Sequence, residues 1–342
     1  MKEKLIIILL FIASLIVFVS CEVEFNPNGD WKETTIVYGI LDQDADTNFI
    51  RVQKCFLGDG NYIQFAREKD SIYYKQEDIE VSIYGFYDWE TSGWDTTKAK
   101  QTIHFNYTEN YSKPDSGDFY SEIAPIYYST TKLNPEFTYY LLVKNLKTGN
   151  ITTANTRLVS DYKVTGPSGF VFGFNYNATY NANILTCKWV SAISPIKGEI
   201  ARSFQPSIRF NFMENGIPSY VNISSSSIIN PFTDTDKTLE YKIFETDFLF
   251  QLKNKISDRG YAVRSFMNDS PSFEVYVYGS GKSLKEYIDN NAPLVSLTEK
   301  PLYSNIENGT GIFSSRRLHI KKGYTQWSEA FEMTIKSYGI GF

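Results

Sequence analysis

The run Gly279-Ser280-Gly281-Lys282-Ser283 comes nearest to a chemical motif in this chain. It follows an alternating stretch, Phe273 to Tyr278, and precedes a helix-like one, which is the setting of a phosphate-binding loop. Such a loop wraps phosphate in successive backbone amides and needs a glycine five residues before its Gly-Lys pair. That position is Tyr276, and no parallel α/β pattern surrounds it. The expectation is a helix start, with Ser283 and Glu286 as a capping box. Asp42, Asp44, Asp46 and Asn48 alternate like a calcium loop, but the sixth position is Thr47 and the twelfth is Gln53. An acidic hairpin loop between strands fits better.

Only 2 histidines are present, His104 and His319, and 3 cysteines, too few for a Cys/His zinc framework or a disulfide-dense scaffold. The 39 acidic residues include no pair whose separation sequence can measure. There is no Gly-x-Ser-x-Gly elbow and no His-Glu-x-x-His helix. No catalytic residue, metal ligand or cofactor is expected, and the chain reads as a non-enzyme. A formal charge of −5 and pI near 5.3 give no basic field for nucleic acid. Arg316, Arg317, Lys321 and Lys322 read as a solvated strand edge, and Cys55 and Cys187 as separate thiols. The candidate binding surface is aromatic: Tyr84, Phe86, Trp89 and Trp94, with Tyr87, on a hairpin turning near Glu90 to Gly93. Exposed indoles there would stack on a sugar ring or anchor a protein, whereas inward ones would staple the hairpin.

The elements that must carry this surface are strands. Of 342 residues, 25 are Phe, 25 Tyr and 5 Trp, and rings favour strands over helices. Thr35 to Leu41 alternates, as do Ile79-Val81-Ile83 and Ile103-Phe105-Tyr107, and Tyr139 to Leu158 forms a hairpin around Lys147 to Asn150. Gly166-Pro167-Ser168-Gly169 marks a boundary. Beyond it Leu185, Cys187 and Trp189 share one strand face, and Ile208, Phe210 and Phe212 another. Helical spacing links Phe248, Leu249, Leu252 and Ile256, and again Leu284, Tyr287 and Ile288. The expected fold is mainly β: two antiparallel immunoglobulin- or fibronectin-like sandwiches, residues 34–165 and 166–342, with one or two short helices in the second.

Ahead of this body, Lys2 and Lys4 precede an apolar run from Leu5 to Val19, shorter than the ~20 residues a permanent membrane span needs. It ends at Phe18-Val19-Ser20-Cys21, where a small residue precedes a cysteine as in a bacterial lipobox. Residues 1–20 are therefore expected to be a cleaved signal, Cys21 a lipidated terminus, and 21–33 a tether. Acyl chains on Cys21 would anchor the body firmly, at about 0.8 kcal/mol per buried CH₂.

Val37-Tyr38-Gly39-Ile40-Leu41, Ile50-Arg51-Val52-Gln53-Lys54, Tyr139-Tyr140-Leu141-Leu142-Val143 and the run from Pro301 through Asn308-Gly309-Thr310-Gly311-Ile312-Phe313 together carry a resemblance. The ensemble resembles a family of Bacteroidetes cell-envelope lipoproteins defined only as a domain of unknown function. The resemblance implies an outer-membrane lipoprotein, often encoded beside TonB-dependent transporters, and supplies no catalytic residues. The expected role is an accessory or binding subunit of an outer-membrane complex with a β-barrel partner. Alternatives are a surface glycan-binding lipoprotein acting alone and, behind it, a divergent hydrolase. The cell surface is favoured over the periplasmic face, since Glu22 and Glu24 put negative charge just after the lipidated residue, which is similar to surface-export signals of such bacteria.

Overall fold

In the computed structural model, residues 33–55, 62–90, 92–111, 123–168, 171–194, 196–257, 262–267, 272–291, 302–324 and 326–342 are described. The expected signal, Cys21 and most of the expected tether lie outside them. Alternation in the first half becomes strands: β1 (Thr35–Leu41), β2 (Asn48–Lys54), β3 (Ile79–Tyr87), β4 (Gln101–His104), β5 (Asn106–Thr108), β6 (Ile126–Ser129), β7 (Phe137–Asn145) and β8 (Ile151–Arg157). Two short helices, α1 (Tyr62–Arg67) and α2 (Lys69–Ile72), interrupt them. Strands β4-β3-β7-β8 form one sheet, and β1-β2-β6-β5 belong to another. Val37, Ile50, Val81, Ile83, Leu141 and Val143 meet between the two sheets. The run expected as one strand through Ile103, Phe105 and Tyr107 bends at buried Phe105, so β4 and β5 join opposite sheets.

The second half follows with β9 (Val164–Gly166), β10 (Val171–Phe172), β11 (Asn175–Asn177), β12 (Ala182–Val190), β13 (Ser203–Glu214), β14 (Ile217–Ser224), β15 (Ile228–Ile229), β16 (Thr238–Phe244), α3 (Glu245–Ser257), β17 (Arg264–Phe266), β18 (Phe273–Ser280), α4 (Lys282–Asn291), β19 (Gly309–Tyr324), β20 (Gln326–Trp327) and α5 (Glu329–Ser337). The expected helical spacing is realised in α3, which turns Phe248, Leu249, Leu252 and Ile256 into a core shared with Trp189, Phe210 and Phe273. A third helix, α5, was not expected. Ser328 caps it by accepting from the Phe331 amide, and it adds Phe331 and Ile335 to the same core.

Strand β19 joins the halves. Its first residues, Gly309 to Ser315, pair with β1, and Arg316 to Tyr324 pair with β18. A ten-stranded sheet thus runs through both lobes, and Thr34–Phe342 forms one compact unit. Two features differ from the expected pair of antiparallel domains. The β1–β19 pairing is parallel, and Ile306 and Phe313, beyond the expected boundary at 166, complete the first core. The reason lies in the Asn308 to Phe313 run. A Cβ on Gly311, at φ +115°, would sit 2.0 Å from the Val37 carbonyl, and one on Gly309 would sit 2.6 Å from that of Thr35. Only glycine lets β19 lie this close to β1.

Candidate functional site

The aromatic hairpin is set by β3 and β7, whose outward faces place Tyr84 opposite Tyr140 while Ile83 and Leu141 point inward. Between β3 and β4 the chain makes three single 3₁₀ turns, Asp88–Glu90, Ser92–Trp94 and Thr96–Lys98, in place of the tight turn expected. They fold Trp94 back over the sheet, where its ring stacks on Tyr140 at 4.9 Å and meets Phe86 edge-on at 5.6 Å. Phe86 is consequently only 1% exposed and is no part of a surface, contrary to expectation. Tyr84 and Trp94 are half-buried, and Trp94 serves as a staple.

Trp89 is different. It is 78% exposed, with one indole face stacked on Tyr87 at 4.6 Å. Tyr87 in turn packs edge-on against Phe137 at 5.0 Å. The adjoining Asp88 is tied to Arg157 by an ion pair at 2.5 Å and accepts from the Thr138 hydroxyl. Trp89 therefore presents its outer face from a fixed base.

A second site was not legible in the sequence because five separate segments build it. It is a cleft of about 430 Å³ lined by Gln43, Asp44, Asp161, Ser194, Lys197 and Arg317, with an apolar wall of Leu133, Pro135 and Ile193. Arg317, on β19, donates to Asp44 through Nε at 2.8 Å and pairs with Asp161 through Nη2 at 3.3 Å. Gln43 donates through Nε2 to the Val159 carbonyl at 3.1 Å, and its Oε1 is buried with no partner among the described residues. Lys197 is held by Glu136 at 2.9 Å. The outer wall is pinned by the Ile193 amide donating to the Asp161 carbonyl at 2.9 Å and the Glu199 amide to that of Leu158 at 2.8 Å. Behind it, Tyr162 accepts from the Gly279 amide at 2.9 Å and directs its hydroxyl at the Val277 and Arg317 carbonyls. Burial pushes the Asp42 carboxyl, next to this cleft, above the usual range, against the pull of Arg316 and Arg317.

The other candidate motifs are accounted for within the protein. At the start of α4, where a phosphate loop would hold its anion, the Glu199 carboxylate accepts from the Lys282 amide at 3.2 Å. The Ser314 hydroxyl accepts from the Leu284 amide at 3.0 Å. The helix dipole is thus answered by the protein's own carboxylate. Ser283 lies inside α4, so the expected capping box is replaced by these two outside groups. Burial raises the Glu199 pKa.

In the acidic loop, Asn48 accepts from the Asp42 amide at 2.7 Å, Asp42 lies 4.0 Å from Arg316, Asp44 pairs with Arg317 and Asp46 with Lys132. It is a hairpin loop whose carboxylates meet cations. In the basic cluster Arg316 and Lys322 are exposed, as on a solvated strand, while Lys321 donates to the Thr165 carbonyl and Lys322 pairs with Glu274. His104 meets the Ser82 hydroxyl at 2.8 Å on the β3 sheet, while half-buried His319 lies by Tyr162 on β19. Burial lowers the His319 pKa. Cys55 and Cys187 are both free thiols, and burial raises the latter to about 12.

The chain matches no protein-family model and no curated protein. No helix among the described residues is long and apolar enough to cross a membrane.

Proposed function

We propose that the protein is a non-enzymatic lipoprotein, moored at the outer membrane through Cys21, that serves as an accessory or binding subunit of a TonB-dependent type of uptake complex. The observation that carries this reading is Trp89. Its indole is left mostly in water on a base held by Tyr87, Phe137 and Asp88, so its outer face is open to a partner. Large rigid rings of this kind are the anchors of protein contacts, giving much apolar area for little lost side-chain entropy. The resemblance of the sequence to envelope lipoproteins supplies the compartment, and the signal-length apolar run before Cys21 supports acyl chains on that cysteine as the mooring. The cell surface is the favoured face.

Co-purification from mildly solubilised membranes tests the reading. A tagged full-length chain should bring down a β-barrel protein, and Trp89→Ala should reduce its recovery while Trp94→Ala leaves it. Recovery of the lipoprotein alone, or equal recovery with Trp89→Ala, would overturn it.

A further inference from the structure

We infer that the outward face of strands β13, β14 and β18 binds an acidic polysaccharide, with Arg209 taking its carboxylate or sulfate group. Ile208, Phe210 and Phe212 point into the second core, so alternation turns Arg209 and Asn211 to the opposite face. The register sets Arg209 between Asn222 on β14 and Glu274 on β18. A glutamate directly across the ladder would ordinarily pair with it. This one is taken, because Glu274 accepts from the Tyr276 hydroxyl at 3.0 Å and pairs with Lys322 at 3.4 Å.

Arg209 is held by neutral groups instead. Its guanidinium lies 4.3 Å from the ring centre of Tyr220 and 4.8 Å from that of Tyr276. Its Nε donates to Asn222 Oδ1 at 3.0 Å, at the exposed surface. Among the described residues neither Nη has a hydrogen-bond or ion-pair partner. The fork is thus fixed and half-buried with its charge unmatched, ready to take an oxyanion through paired bonds. Lys322 offsets the neighbouring Glu274, and Lys255 of α3 donates to the Asn222 carbonyl, so the surroundings stay cationic.

Two observations make the ligand a sugar polymer. A hollow of about 250 Å³ shares Tyr220 with this clamp and is lined also by Pro218, Met267 and Asn211, with the Glu274–Lys322 pair at its side. The C–H groups and hydroxyls of a sugar ring find apolar and amide partners there. An acidic peptide would bind by main-chain bonds at a strand edge, whereas Arg209 stands on a sheet face, on a strand paired on both sides. The site shares no residue with the Trp89 surface, so each stands without the other.

Titration calorimetry on the full-length chain in detergent, with polygalacturonate, dextran sulfate, dextran and polyglutamate as probes, tests this. Polygalacturonate or dextran sulfate should bind, which tells carboxylate from sulfate, and neutral dextran should not. Arg209→Gln should weaken binding about tenfold or more, and so should Arg209→Lys, which keeps the charge but not the fork. Lys132→Gln removes an equal charge from the exposed partner of Asp46 and should leave the affinity unchanged, as should Trp89→Ala. If Arg209→Gln does not fold, Tyr220→Ala carries the test: its ring is 49% exposed, and its loss should weaken binding about fivefold. The inference fails if neither acidic polysaccharide binds at about 1 mM repeat unit. It also fails if the Arg209 and Tyr220 variants bind like the parent, or if Lys132→Gln or Trp89→Ala weakens binding as much as they do. Polyglutamate bound as tightly as the polysaccharides would assign the face to an acidic protein, and equal binding of dextran would remove the role of Arg209, either of which overturns it.

Discussion

The two lobes solve the same burial problem with different arrangements of much the same side chains. The first packs Val37, Ile50, Val81, Ile83, Leu141 and Val143 between two sheets, with Phe105, Phe137, Tyr139 and Phe313 among them. The second gathers its rings into one cluster that helices help to close. Phe172 and Phe273 stack at 3.4 Å between centroids, Phe210 stacks on Phe273 at 5.3 Å, and Phe248 and Phe331 close in from α3 and α5. Large rings bury much area each and meet in stacked and edge-on pairs, so a few of them close the wall that α3 and α5 supply. The difference shows how one continuous sheet can support two unlike interiors. Each interior takes its own half of β19, and the strand passes from one pairing to the other at Ser315 and Arg316.

Breaking the shared strand should have the largest effect. Gly311→Val places a branched side chain at φ +115° against the Val37 carbonyl. The expected loss is about 4 kcal/mol or more, read by urea unfolding or by failure to recover folded protein. Next come the cores themselves. Phe273→Ala, in the second core, should cost about 3–5 kcal/mol, and Leu141→Ala, in the first, about 2–5 kcal/mol. Because β19 belongs to both, each variant should still unfold in a single transition by circular dichroism and intrinsic fluorescence. Two separated transitions would show that the lobes are independent.

The hairpin rings sharpen the contrast on a smaller scale. Trp94→Ala removes a stack on Tyr140 and an edge contact to Phe86, and should lower stability by about 1 kcal/mol or more. Trp89→Ala should change stability by about 0.5 kcal/mol or less, because most of the ring is already in water. Thermal melts of the two variants side by side check this ordering.

The smallest effect concerns pH. Burial raises the folded-state pKa of Glu199 above its ordinary value of 4.5, so the folded protein binds a proton there more tightly than the unfolded chain. That contribution is greatest below pH 4.5 and falls away as pH rises through the folded pKa. Glu199→Gln keeps an acceptor for the Lys282 amide without the titration. Its melting temperature relative to the parent should therefore rise between pH 4.5 and neutrality.

Much of the strand content was legible because alternation needs only local information. Thr35 to Leu41 and the hairpin around Lys147 to Asn150 appear in the structure as read. Phe248, Leu249, Leu252 and Ile256 gave away α3 by their spacing. The parallel β1–β19 pairing was not legible, since the partners lie 274 positions apart (309 − 35) and nothing local specifies their register. Phe86 was misplaced on the surface for a related reason. Its outward position on β3 was readable, but not the return of Trp94 over it through three 3₁₀ turns. The junction cleft was invisible because Gln43, Asp161, Ser194 and Arg317 meet only through the tertiary fold.

The proposed role turns on what covers Trp89. A photo-crosslinking phenylalanine analogue placed at position 89 in living cells, with the same analogue at exposed Val263 as control, addresses it directly. Irradiation should join the position-89 chain, and not the control, to a β-barrel protein identified by mass spectrometry. No adduct at position 89, or the same adduct from both positions, would contradict the role proposed for this surface.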